Sequence, residues 1–190
     1  LTDAEGTVTR MENRGNGLLT ATVSSPKLWT AETPYLYTLQ VDVLQKGRVV
    51  QTFSGKVGIR ELRIKDGKVL ELNGKPIKFR GVTSHATDPV RVKVIGEELT
   101  LKDMKLMKEA SINYIRTSHY PREPRFYELA DSLGFYIVNE VPFASRGEKH
   151  LKKPSYYDIL RTRTKATIDR DKNHASVMIW SLGNENPLPE

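Results

Sequence analysis

From Arg63 onward, apolar runs and amphipathic helical stretches take turns along the chain, and this alternation limits the fold more than any other feature. "PIKFRGV", "INYIRTS", "FYIVNEV" and "SVMIWSLGNE" read as strands. Between them lie "LTLKDMKLMKEA", "EPRFYELADSLG" and "SYYDILRTRTKATIDRDK", which carry helical spacing. In the first helix Met104, Met107 and Ala110 face inward, with Thr100 and Asp103 as a variant capping box. In the second, Phe126, Leu129, Ala130 and Leu133 recur at i, i+3, i+4 and i+7, and Gly134 supplies the C-cap. Strand–helix units in series demand a parallel sheet, either an open doubly wound sheet or a (β/α)8 barrel. An open dinucleotide-binding sheet would carry G-x-G-x-x-G after its first strand, and "FRGVTSHATDP" has none. Instead each strand ends in chemically capable residues: His85, His119, Glu140, then Asn184 and Glu185. Barrel enzymes place their sites at such strand ends. The expectation is a TIM barrel of which four strands are present.

Before residue 62 the rhythm is different. "LLTATVSS", "LYTLQVDVLQ" and "RVVQTFSGKVGIR" alternate with period two, and "QKGR" supplies a hairpin turn. "SSPKLWTAETPYLY" reads as an irregular crossing. Three or four strands where a sandwich needs about seven suggest a β-sandwich entered partway through. The predicted fold class is therefore a partial β-sandwich, residues 1–62, followed by an α/β half barrel, residues 63–190. Asp66-Gly67 and Asn73-Gly74 mark two further hairpins at the join. A four-strand half barrel leaves two unpaired edges, so the chain reads as part of a longer polypeptide.

Composition narrows function mainly by exclusion. With no cysteine, thiolate metal sites and cysteine nucleophiles drop out. The formal charge is +7, but the 30 basic residues are interspersed with 23 acids, as in "LRIKDGKVLELNGKPIKFR". "RGEKHLKK" and "RTRTK" have no aromatic interleaving, which favours a solvated face over a nucleic-acid surface. No stretch approaches the roughly 18 to 20 apolar residues of a membrane span. "LTDAEGTVTR" has the shape of no secretory signal, and the compartment stays open between cytoplasmic and secreted.

The residues at the strand ends each have a functional and a structural reading. Glu185 by position alone is a solvated loop residue at a strand end; its functional reading is that Asn184 beside it can hydrogen-bond a hydroxyl, and that a carboxyl partly desolvated near Trp180 would have its neutral form favoured, as a general acid requires. Glu140 is a second catalytic carboxylate, a substrate ligand, or the ion-pair partner of Arg116 on the neighbouring strand. His119 donates to a sugar hydroxyl or holds a carboxylate. Tyr120 before Pro121 lines the site or packs, and His85 follows the first strand directly. None of the four histidines has metal-ligand spacing with carboxylates. His174, in "RDKNH", precedes the fourth strand and so belongs to the opposite face of the barrel. These residues alone point to a barrel hydrolase with carboxylate chemistry.

Six ordered motifs carry a resemblance: "LWTAETPYLYTLQV", "GIRELRI", "LNGKPIKFRGV", "INYIRTSHYP", "FYELADSLGFYIVNE" and "RDKNHASVMIWSLGNEN". From about Pro26 to Asn186 the chain resembles glycoside hydrolase family two, which contains β-galactosidases, β-glucuronidases and β-mannosidases. The resemblance implies an immunoglobulin-like sandwich ahead of the barrel, and Glu185 as general acid/base. It implies that Asn184 contacts the sugar near its 2-hydroxyl, that His119 touches substrate, that Glu140 lines the pocket and that Arg116 braces the carboxylates. It also places the nucleophile on the seventh barrel strand, beyond residue 190, so that the 190-residue chain alone would be inactive. Where relatives read "GVNRHE" this chain reads "GVTSHAT", keeping His85. Where magnesium-dependent β-galactosidases carry a glutamate and a histidine, "VPFASRG" offers Ala144 and Arg146, so no metal and no cofactor is expected. The implied partner is a β-glycoside, the base-rate choice is β-galactosidase activity, and a homo-oligomer of the full-length protein is compatible with the family. A non-catalytic sugar-binding relative and a polyanion-binding module are the rival readings.

Overall fold

Three hairpins form where the dipeptides place them. The computed structural model describes residues 1–144 and 153–186. After two short strands, β1 (Glu12–Asn13) and β2 (Leu19–Thr20), the antiparallel pair β3 (Tyr37–Gln45) and β4 (Arg48–Val57) turns at Lys46 and Gly47. Their φ angles are 50° and 75°, the left-handed backbone a two-residue hairpin turn requires. The strand expected in "LLTATVSS" shrinks to Leu19–Thr20. Next, β5 (Leu62–Lys65), β6 (Val69–Leu72) and β7 (Lys75–Pro76) form a three-stranded antiparallel sheet. Asp66-Gly67 and Asn73-Gly74, all at positive φ, make its turns.

The remaining strands, β8 (Gly81–Ser84), β9 (Tyr114–Thr117), β10 (Tyr136–Glu140) and β11 (Val177–Ser181), form one parallel sheet in the order β11-β10-β9-β8. The helices between them, among the described residues, are α1 (Glu97–Glu109), α2 (Pro124–Leu133) and α3 (Pro154–Asp171). Consecutive parallel neighbours joined by helices are the first half of a (β/α)8 barrel, preceded by sandwich-type β structure. Two sequence expectations need correction. "PIKFRGV" is not one strand: β7 pairs antiparallel with β6 while β8 pairs parallel with β9, so residues 77–80 carry the change of partner. The helix expected to start near Thr100 starts at Glu97, with Gly96 as N-cap. Two glutamates in the first turn complement the helix dipole, and Thr100 Oγ1 donates back to the Gly96 carbonyl from within the helix.

Two apolar clusters hold these parts together. Met104, Ile115, Phe126, Leu129, Phe135 and Ile137 fill the layer between the sheet and α1–α2. Trp29, Ala31, Leu72, Tyr136, Ala175 and Met178 join the sandwich segment to the N-terminal end of the barrel strands. Trp29 is fully buried, and its indole N–H donates to the Asp131 carbonyl at 2.8 Å. Arg60 donates to the carbonyls of Ala175 and Val177, both at 2.6 Å, tying the linker to the start of β11. On this same face His174 Nδ1 lies 2.7 Å from the buried Asp131 carboxylate, far from the strand C-termini. "RTRTK" lies on α3, largely exposed, while Arg146 and most of "RGEKHLKK" fall outside the described residues. No described helix is long and apolar enough to cross a membrane.

Gly134 closes α2 at φ 78°, and a Cβ there would sit 2.1 Å from the Ala31 carbonyl oxygen. Gly134→Ala is expected to cost about 1–2 kcal/mol for the left-handed backbone alone, and more for the contact. Gly67, at φ 66° with nothing near its missing Cβ, bears only the first cost. Urea midpoints of Gly134→Ala and Gly67→Ala check this: equal losses would show that the close approach contributes nothing.

Candidate active site

Parallel strands bring their C-terminal ends to one rim, and register decides which side chains face each other there. Val138 pairs with Arg116 and with Ile179, and Glu140 pairs with Ser181. Two-residue alternation then sets Arg116, Glu140 and Ser181 on one face. Glu140 is fully buried at its centre. Its Oε2 accepts from Arg116 Nε at 2.7 Å, from Arg116 Nη2 at 2.6 Å and from Ser181 Oγ at 2.9 Å. Its Oε1 lies 2.7 Å from His119 Nδ1. A carboxylate only accepts, so His119 turns a protonated Nδ1 to Glu140, and Nε2 is its remaining polar atom. The backbone N–H of Glu140 is held by Thr117 Oγ1 at 3.0 Å. Both oxygens of Glu140 are thus engaged, and the ion-pair alternative for this residue is the one the geometry displays.

The segment after β11 bends sharply. Gly183 has φ 140°, and a Cβ there would meet the Phe143 carbonyl oxygen at 2.1 Å, so only glycine fits. This close approach lets the Asn184 N–H donate to that same carbonyl at 3.0 Å, with Asn184 bridged to Ala144. The Asn184 side-chain oxygen accepts from Arg116 Nη2 at 2.9 Å. Glu185 follows with φ 51°, exposed, and without a hydrogen bond or ion pair among the described residues. Trp180 does not desolvate it. Trp180 pairs with Asn139, whose amide reaches Tyr127 and Asp171 on the helix side of the sheet, and the indole packs against that core. Alternation forces this outcome once Ser181 faces Glu140.

The mouth beside β8 is built from His85 and Tyr120. The His85 ring stands edge-on to His119, with centroids 5.2 Å apart. Partial desolvation, then the neighbouring His119 ring and the charges of Lys93 and Arg122, hold His85 below the usual histidine range. Tyr120 packs: its hydroxyl accepts from the Ala86 N–H at 3.1 Å and pins the loop after β8. Arg122, buried beneath, donates to the Ser84 carbonyl.

Arg116, His119, Glu140 and Asn184 are therefore joined in one bonded network, Glu185 lies next to it without a partner among the described residues, His85 and Tyr120 line the approach, and Trp180 lies elsewhere. The small residues of "SLGNEN", Ser181 and Gly183, suit a close approach of backbone, but nothing in the sequence marks Thr117 or the contact of Ser181 with Glu140. Ser181 is recoverable only from its register with Glu140. No three metal-ligating side chains converge among the described residues, and Ala144 offers no ligand.

Polar groups gathered at the C-terminal rim of a parallel sheet define the functional face of an α/β barrel. Residues 62–189 match the TIM barrel domain of glycosyl hydrolases family 2, and residues 2–60 match a second domain of that family. The chain belongs to glycosyl hydrolase family 2. It is 40% identical over 169 residues to a β-galactosidase of Lactococcus lactis subsp. lactis (strain IL1403), an alignment covering 86% of this chain and 17% of that protein. A β-galactosidase of Streptococcus thermophilus is 39% identical over 202 residues, covering 98% of this chain and 20% of the relative. Among solved structures, a β-glucuronidase from Ruminococcus gnavus in complex with D-glucuronic acid superposes with a TM-score of 0.87 at 32% identity, covering 98% of this chain and 31% of that one. The chain thus spans a fifth or less of these β-galactosidases.

Proposed function

We propose that this chain supplies the acid/base half of a retaining β-glycosidase of the β-galactosidase type. Residues 1–62 are the end of an immunoglobulin-like domain in this reading, and residues 63–190 the first half of the catalytic barrel. The observation that carries it is the strand-end unit Asn184-Glu185: an amide clamped to Arg116 beside a carboxyl that has no partner among the described residues. Retaining hydrolysis needs two carboxyls about 5–5.5 Å apart. Glu140 is spent on Arg116, His119 and Ser181, so the nucleophile is assigned to a strand outside residues 1–190. Glu185 protonates the departing glycosidic oxygen as the nucleophile bonds to the anomeric carbon. It then takes a proton from the water that releases the sugar. Glu140 acts as the buried anchor of the rim.

The likeness to β-glucuronidase structures supports a second reading with the same chemistry and a different sugar. Hydrolysis of a panel of aryl β-glycosides by the full-length polypeptide decides between them. The galactoside is expected to give the highest kcat/KM, and the isolated 190-residue chain no turnover. Preference for the glucuronide would reassign the sugar, while inertness toward every glycoside by a folded full-length protein would leave a sugar-binding relative.

A further inference from the structure

We infer that the rim beside β8 is an anion subsite for the leaving group, where Lys93 receives a carboxylate, sulfate or phosphate carried by the aglycone of the substrate. The inference rests on the glycosidase reading and names the chemistry of the departing group. Two cations meet around one ring: Lys93 Nζ stands 5.7 Å, and the Arg122 guanidinium carbon 5.5 Å, from the centroid of Tyr120. Neither has an ion-pair partner among the described residues. Arg122 is only 4% exposed. Its Nη2 donates to the carbonyl and the hydroxyl of Ser84, while Nη1 is buried and meets no acceptor among the described residues. A buried guanidinium without a carboxylate is costly, and it leaves positive charge uncompensated beside the rim. That charge reaches the mouth: after desolvation and the His119 ring, Lys93 and Arg122 add to the causes that hold His85 low.

The loop that carries Lys93 is closed on itself. Asp88 Oδ1 accepts the N–H groups of Val90 and Arg91, both at 2.7 Å, and the backbones of Asp88 and Val92 pair at 2.8 and 3.0 Å. The one acid between His85 and Gly96 is thus turned to its own backbone, and Lys93 follows between two exposed valines. Tyr120 Oη accepts from the Ala86 N–H at 3.1 Å and lies 3.5 Å from Lys93 Nζ, so one ring fixes the start of the loop and stands beside its ammonium. Depth decides which part of a glycoside meets Lys93. Glu140 is fully buried, and the His119 side chain beside it is 27% exposed. His85 stands edge-on to His119, then come Tyr120 and the exposed Lys93. In the glycosidase reading the terminal sugar takes the inner end of this series and the aglycone the outer end.

The test is a matched pair of aryl β-galactosides that differ in one ring substituent, a carboxylate or its carboxamide. With the full-length polypeptide at pH 7 and low ionic strength, the carboxylate is expected to raise kcat/KM about tenfold over the carboxamide, the scale of one charge-assisted hydrogen bond. Molar salt should remove most of that preference. Comparing the ratio between variants cancels the intrinsic reactivity of the two substrates. Lys93→Gln should lower the ratio about tenfold and Lys93→Glu further still, at unchanged folding midpoints because the side chain is exposed. Arg122 is left in place, since its bonds to Ser84 hold the rim. A ratio that Lys93→Gln shifts by less than about twofold, or that salt leaves unchanged, overturns the inference. So does a Lys93-dependent preference found only for a phosphate or sulfate on the sugar ring. If the folded full-length protein hydrolyses no glycoside, the enzyme reading falls, and calorimetric binding of the same pair decides the subsite. Tighter binding of the carboxylate that Lys93→Gln removes supports it; equal binding, or none, overturns it.

Discussion

Glu140→Ala is expected to destabilise the protein by about 3–5 kcal/mol, the cost of leaving one partner of a buried ion pair alone. The carboxylate is fully buried and receives Arg116, His119 and Ser181 at 2.6–2.9 Å. Removing it strands a guanidinium that is itself only partly exposed, leaves the imidazole N–H without its acceptor, and leaves the serine hydroxyl only its longer contact to the Gly183 carbonyl at 3.3 Å. The loss then spreads to the rim, because Arg116 is also the partner of Asn184. Glu140→Gln separates charge from shape. Its amide oxygen can still receive Arg116, and its NH2 can face His119 if the imidazole changes tautomer, so a loss of about 1–3 kcal/mol is expected. Urea denaturation of the full-length polypeptide with each substitution measures both. A Glu140→Ala protein within about 1 kcal/mol of wild type would mean that water replaces the carboxylate, and the anchor role would be lost.

The same network shows what could be read before the structure. The turns at Lys46-Gly47, Asp66-Gly67 and Asn73-Gly74 were legible because positive φ is a property of single residues, and so was the glycine stop of α2. The series of parallel strands followed from alternation of elements, and alternation also put His85, His119, Glu140 and Asn184 at one rim. Partner choice was not legible. "PIKFRGV" is uniform in pattern, yet its first residues belong to a hairpin and its last to the parallel sheet. Trp180 failed for a related reason. Periodicity assigns residues to two faces but does not say which face is which, and a register shift between Ile137 and Val138 resets the phase of β11. The same phase decides that Ser181, unmarked in sequence, meets Glu140. Trp29 sits in a stretch with no periodicity at all, and its complete burial comes from a cluster with Ala31, Leu72, Tyr136, Ala175 and Met178 that no local pattern announces.

Glu185→Gln is expected to remove most hydrolysis of glycosides with poor leaving groups, by about 10²–10⁴-fold in kcat/KM. Glutamine keeps the size of the side chain at an exposed position with φ 51°, so folding should be unchanged, and the loss isolates the proton. The dependence on leaving group is the discriminating part. Departure of an alkoxide needs the proton, whereas a dinitrophenolate leaves without it, so kcat/KM for the activated substrate should fall by no more than about tenfold. Its kcat should still drop if, as proposed, Glu185 is the base toward water in the release of the sugar. A small anionic nucleophile such as azide, which needs no base, should restore that second step and yield a glycosyl azide of retained configuration. Rates by stopped assay and product by NMR check each part. Equal losses on both substrates, without azide rescue, would assign the effect to substrate binding and move the acid/base role away from this strand end. The position of Glu185 favours the first outcome: the preceding Asn184 is bonded to Arg116 and to the Phe143 carbonyl, while the carboxyl itself is left without an internal partner among the described residues.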